Sequence, residues 1–142
     1  MYNIDRFIDK HKEYYEIALS EIKNGYKKTH WMWFIFPQLK ELGRSTTSKL
    51  YGIENIEEAK EYMSNNCLKH NMIEICTELL KQNGDIKYIM GYPDYLKLNS
   101  CMTLFEYTSH EEIFSKVIDK FYNGNRDEMT LELLKEKNLW KI

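Results

Sequence analysis

The sequence predicts an all-α fold, a single domain of about seven short helices over residues 1–142. Three observations carry this reading. Apolar residues recur at three- and four-residue steps along most of the chain. The breaks between these segments hold helix-capping and helix-ending residues, including Asn83 with Gly84 and Asn123 with Gly124. No alternating apolar and polar run has turn signals on both flanks, so no strand is expected.

The first helix follows from Phe7, Ile8, Tyr15, Ala18, Leu19 and Ile22, with Gly25 as its stop. Thr29 is placed to cap a turn starting at His30, in which Trp31 to Phe36 are apolar on every side. Pro37 ends that turn, because it cannot extend the hydrogen-bond ladder and disfavours helical geometry at Phe36. Ser45 suits an N-cap for a helix through Leu50 and Tyr51. Asn55 to Glu58 resembles a capping box, with Ala59, Tyr62 and Met63 behind it. Leu68, Met72, Ile75, Cys76, Leu79 and Leu80 mark a longer helix. Pro93 is expected in the first turn of another, in which Leu96, Leu98, Met102, Leu104 and Phe105 pack and Asp94 can pair with Lys97. Ser109 to Glu112 reads as a second capping box before Ile113, Phe114, Val117, Ile118 and Phe121. Asp127 caps a last helix carrying Met129, Leu131, Leu133 and Leu134.

The chain has 20 Lys and Arg against 22 Asp and Glu, a formal net charge of −2. That near balance offers no bulk attraction to polymeric nucleic acid or an acidic membrane. The N-terminus lacks the apolar stretch of a secretion signal, and no apolar run approaches the roughly 20 residues of a membrane span. Cys67, Cys76 and Cys101 are odd in number without C-x-x-C spacing. Three buried, reduced thiols in a cytoplasmic protein are expected. Oligomeric state leaves no mark in the sequence.

Two segments resist a purely structural account. In "THWMWFIFPQLKELGRSTTSKL" the aromatic turn is either core or one wall of a pocket. Burying both Trp31 and Trp33 requires partners for two indole N–H groups. Ser45 either only caps its helix or, with free N–H donors and Arg44 beside it, opens an anion site. In "GYPDYLKLNSCMTLFEY" the small polar residues Asn99, Ser100 and Thr103 either bond a ligand or satisfy loop backbone. Arg126 is either solvated or turned inward to the same anion.

The motifs "HWMWFIFPQLKELGRS", "YGI…EEAKEYM", "GYPDYLKLNSCMTLF" and "FYNGNRDEMTLELL" resemble, in order and over nearly the whole chain, the bacterial family known as domain of unknown function 1810. The resemblance implies a mostly helical fold and no established activity. His30, Trp31, Trp33, Phe36, Pro37, Gln38, Gly43, Arg44, Ser45, Lys97, Ser100 and Thr103 match that family's pattern. Cys101 stands where the pattern K-L-x-S-S-M-T-L-F has its second serine, and a thiol is a weaker donor.

Metal catalysis is not indicated, because His11, His30, His70 and His110 are scattered without ligand spacing. No phosphate-binding glycine fingerprint occurs, and no cofactor is expected. The remaining expectation is an aromatic, weakly cationic pocket. His30, Arg44, Lys97 and Arg126 would meet phosphate there, Trp31, Trp33 or Tyr51 would stack, and Phe36, Gln38, Ser45, Ser100 and Thr103 would line it. The leading expectation is a binding protein for a small anionic nucleotide-like ligand, ADP-ribose-type or cyclic. Sequestration of a nucleotide immune signal is one setting for it. The alternatives are a glycohydrolase- or phosphodiesterase-like hydrolase using His30 or Asp94 as acid or base, and an interaction module with no ligand. Trp33→Ala is expected to cost about 3–5 kcal/mol of stability on any of these readings.

Overall fold

The chain folds into nine α-helices among the described residues. The structure is a computed structural model describing residues 2–139, with side chains for residues 2–136; Met1 and residues 140–142 of the expected domain lie outside the described residues. The helices are α1 (Asp5–Lys23), α2 (Met32–Ile35), α3 (Thr46–Tyr51), α4 (Ile56–Ser64), α5 (Asn66–Leu80), α6 (Ile86–Met90), α7 (Asp94–Thr108), α8 (Ile113–Phe121) and α9 (Glu128–Leu139). A 3-10 turn spans Lys40–Leu42. The count exceeds seven largely through one-turn elements such as α2 and α6, too short for apolar periodicity to register. No described helix is long and apolar enough to cross a membrane.

α1 buries Phe7, His11, Tyr15, Ala18, Leu19 and Ile22 on one face, which packs on α5. The helix ends where Gly25 adopts φ 75°, and the N–H groups of Gly25 and Tyr26 return to the carbonyls of Ile22 and Glu21. α5 packs in turn on α8, and α8 on α7. α7 also meets α4, α6 and α9. Every residue from Ser100 to Phe105 is buried, so this stretch of α7 runs through the centre of the fold, enclosed on all sides rather than amphipathic.

That enclosure explains the small polar residues of α7. The Thr103 hydroxyl donates to Asn99 Oδ1 (3.2 Å) and accepts the Asp127 N–H (3.0 Å). Thr108 returns its hydroxyl to the Leu104 carbonyl (2.9 Å). Cys101 is fully buried against neighbouring helices, and burial pushes its thiol well up. The departure from the serine pattern therefore lies in the core.

Several expectations are corrected. α2 begins at Met32, not His30: Thr29 gives both its N–H and its hydroxyl to Glu21, and no side chain caps α2. Asn55 caps α4 through the Glu58 N–H (3.0 Å), but the Glu58 carboxylate accepts from the Glu54 N–H instead of closing the box. Ser109 ends α7, with its hydroxyl on the Phe105 carbonyl (2.7 Å), and α8 has no side-chain cap. Cys67 is exposed on the first turn of α5. Leu96 and Met129 are 47% and 56% exposed, and α9 packs instead through Thr130 and Leu134.

Polar contacts fix how α1 sits. Arg6 donates to the Leu50 and Gly52 carbonyls (each 2.9 Å) and pairs with Glu58 (2.7 Å), so it closes the C-terminal end of α3. His11 Nε2 lies 3.0 Å from the Phe34 carbonyl and Nδ1 lies 3.0 Å from the Asn71 amide. These partners suit a neutral ring that donates from Nε2 and accepts at Nδ1.

Burial lowers the His11 pKa from 6.5 to about 4, although the Phe34 carbonyl bond opposes this. The folded state thus binds fewer protons than the unfolded chain between these values. Stability is complete above pH about 6.5, falls as the pH drops toward 4, and gains no further loss from His11 below that. Chemical denaturation at pH 7 and pH 4.5 should show wild type losing about 2–3 kcal/mol more than His11→Gln over the interval. Equal losses would show that His11 does not carry this dependence.

Candidate functional site

The loop between α1 and α2 is organised by one carboxylate. Glu21, buried at the end of α1, accepts from the Lys28 N–H (2.7 Å), the Thr29 N–H (3.0 Å), the Thr29 hydroxyl (2.7 Å) and the Trp31 indole N–H (2.9 Å). Burial alone would raise its pKa, but these bonds, the Thr29 hydroxyl foremost, hold the carboxyl below its ordinary value.

Lys27 extends the scaffold toward α7. Its ammonium lies 2.8 Å from Asp94 Oδ2, donates to the Thr29 carbonyl (2.6 Å) and sits 4.8 Å from the centre of the Trp31 ring. Lys97 meets the other oxygen of Asp94 (3.2 Å), as the sequence spacing suggested. Its ammonium also lies 4.3 Å from the centre of the Trp33 ring. One carboxylate is therefore shared by two lysines, and one positive charge is left uncompensated beside Trp33.

The 37–53 segment is held just as firmly. Among the described residues its one β-type pairing is a bridge between Leu39 and Ile53. The Ile53 N–H donates to the Gln38 carbonyl (2.8 Å), and the Lys40 N–H donates to the Ile53 carbonyl (2.9 Å). Gly52 permits this closeness: a Cβ there would stand 2.4 Å from Lys40 Cα. Gly43 likewise lies where a Cβ would fall 2.4 Å from the Cβ of Ser48.

These segments border an open cleft of two adjoining chambers, each about 400 Å3. Trp33, Ser45 and Lys97 line both and so mark the junction. The first chamber has Gln38 and Ser100, with Leu42, Pro93, Leu96 and Met129 as apolar walls and Arg44 and Asp127 also lining it. The second is lined by Tyr14, Lys27, His30, Met32, Phe34, Thr47 and Asp94. Tyr14 and Phe34 stack there with ring centres 5.0 Å apart.

Seven residues singled out from sequence thus share the cleft: His30, Trp33, Gln38, Arg44, Ser45, Lys97 and Ser100. The other four lie elsewhere. Trp31 is fully buried and its N–H is taken by Glu21. Phe36 is buried beside it, with ring centres 6.1 Å apart. Thr103 joins α7 to the start of α9. Arg126 binds both oxygens of Glu106 and reaches Asp119 (3.1 Å). These bonds hold the Glu106 carboxyl below its usual value, so the guanidinium charge is compensated within the fold.

Ser45 takes the capping role: its hydroxyl accepts the Ser48 N–H (3.0 Å), and the Ser48 hydroxyl accepts the Ser45 N–H (3.0 Å). With the cap closed and only six residues in α3, the helix end adds little to anion binding. Arg44 is exposed at the first chamber with no hydrogen bond or ion pair to the described residues.

Sequence reasoning missed Lys27, Leu42, Leu96, Asp127 and Met129 as lining residues. Their apolar spacing assigns Leu96 and Met129 to packing, and only the rotation of α7 and α9 about their axes exposes them. Lys27 carries no local signal, because its partner Asp94 is remote in the chain.

The arrangement defines a class: a small helical protein with a two-chambered aromatic and cationic cleft. The chain belongs to the family described as protein of unknown function (DUF1810), which matches residues 1–134. It is similar to the crystal structure of the conserved hypothetical protein Rv1873 from Mycobacterium tuberculosis, at 36% identity and a TM-score of 0.91. That similarity covers 93% of this chain and 96% of the other. No curated protein matches the chain.

The two tryptophans should now separate in a thermal or chemical unfolding experiment. Trp31→Ala removes a fully buried indole and leaves a Glu21 acceptor unfilled, and should cost about 3–5 kcal/mol. Trp33 is half-buried, so Trp33→Ala should cost only about 1–2 kcal/mol, less than expected from sequence. Equal losses would contradict the assignment of Trp31 to the core and Trp33 to the cleft wall.

Proposed function

We propose that this protein binds a small phosphorylated ligand of the ADP-ribose or cyclic-nucleotide type and releases it unchanged. The observation that carries the reading is the junction of the two chambers, where the Lys97 ammonium faces the Trp33 ring. A cation and an aromatic face at one point suit a phosphate joined to a ring that stacks. Arg44 in the first chamber and His30 in the second supply further polar contacts along the same cleft. The chambers are in the size range of small-molecule sites.

Holding is favoured over hydrolysis by the state of the candidate acid–base groups. Both oxygens of Asp94 are engaged by lysines. His30 is exposed, with no carboxylate among the described residues to orient it. Sequestration of a nucleotide immune signal is a special case of this reading and requires no additional residue.

Calorimetric titration with ADP-ribose and cyclic nucleotides tests the proposal. Arg44→Ala should weaken binding by about 1.5–3 kcal/mol, roughly ten- to a hundred-fold, with the unliganded melting temperature nearly unchanged. Wild-type affinity in that variant would return Arg44 to the solvated surface. Chromatography after denaturing the loaded protein should recover intact ligand. A new product would mean hydrolysis, and no retention of any of these compounds would leave an interaction module.

A further inference from the structure

The first chamber contains a polar group that packing does not explain. Gln38 is only 4% exposed, its amide makes no hydrogen bond to the described residues, and its amide atoms are not among the fully buried unpartnered ones, so they open onto the chamber that Gln38 lines. It lies between buried Pro37 and Leu39, and the Ile53 bridge fixes its main chain. A primary amide offers two donors and an acceptor side by side, open here to whatever occupies the chamber.

The surroundings narrow what would match it. Ser100, also buried, donates to the Leu96 carbonyl at a long 3.3 Å, which leaves its oxygen able to accept. Trp33, Leu96 and Met129 present apolar surface around these two groups. Asp127 and Arg44 line the same chamber with opposite charges, so together they add no net charge there. The uncompensated charge of Lys97 lies at the junction instead. A flat, neutral ring with polar groups along one edge fits between Gln38 and the apolar walls, with its phosphate directed toward Lys97 and Arg44.

We propose that the first chamber is a recognition subsite for a planar heteroaromatic base whose edge carries a donor and an acceptor side by side, as adenine does, and that the Gln38 amide reads that edge. An amide pairs with such an edge through two parallel hydrogen bonds, its oxygen accepting from the exocyclic amine and its nitrogen donating to the ring nitrogen. This inference rests on the nucleotide-binding reading and names the end of the ligand that confers specificity.

The test compares AMP, ADP-ribose, ribose 5-phosphate and purine riboside 5′-monophosphate, which lacks the exocyclic amine, by titration calorimetry. Wild type should bind AMP about tenfold more tightly than the purine analogue. In Gln38→Leu that preference should fall to about threefold or less, while the melting temperature holds because the amide bonds nothing within the described residues. Gln38→Glu keeps the polarity but loses the donor, and should also weaken AMP binding. A preference for AMP unchanged in both variants would overturn Gln38 as the reader and leave the nucleotide reading standing. AMP and ADP-ribose binding no better than ribose 5-phosphate would overturn base recognition while keeping phosphate binding. A fall of several degrees in the melting temperature of Gln38→Leu, with ligand preference intact, would make the amide structural. No binding of any of the four compounds would overturn both proposals together.

Discussion

The cleft depends on a carboxylate that never faces it. Glu21 gathers four donors from the segment after α1, and through them fixes the path of residues 28–31. A buried carboxylate is tolerable only when its charge is met by donors of this kind. Because Trp31 is anchored to it, the aromatic turn has one orientation: Trp31 and Phe36 point into the core and Trp33 points out. Lys27, ordered by the same loop, then reaches Asp94 and holds the start of α7 against the turn. The residues of the cleft are placed by contacts behind them.

α7 supplies the second constraint. A helix enclosed on all sides must keep its side chains small where neighbours press close, and must satisfy any hydroxyls internally. Thr103 and Thr108 do so through helix and loop partners. Ser100 has only a long bond to Leu96 and borders the first chamber. Within one run of small polar residues, the ones bound tightly inside the fold serve packing, whereas Ser100 remains available.

The family pattern can be divided on the same basis. Trp31, Phe36 and Thr103 match it because the fold uses them internally, and Gly43 because Ser48 leaves no room for a Cβ. Gln38, Arg44 and Lys97 match it without a comparable internal requirement. Gln38 and Arg44 lack polar side-chain partners among the described residues, and Lys97 shares its one carboxylate with Lys27.

The sequence by itself determined the helical class, the long helices and most of the breaks between them. Local rules govern these features: apolar spacing sets the buried face of α1 and α5, and Asn55, Ser45, Gly25 and Asp127 act through neighbours within a few residues. It also brought forward seven of the residues that line the cleft, on unusual composition and family resemblance. Tertiary structure decided what each of these does. Whether Trp31 or Trp33 faces the cleft depends on Glu21, ten residues from Trp31. Whether Arg126 is free depends on Glu106, and whether Lys97 has Asp94 to itself depends on Lys27. Such pairings are made across the fold by side chains whose neighbours in the chain carry no trace of the partner. Local pattern therefore specified the elements, while their packing decided which polar groups were consumed inside the fold and which were left to meet a ligand.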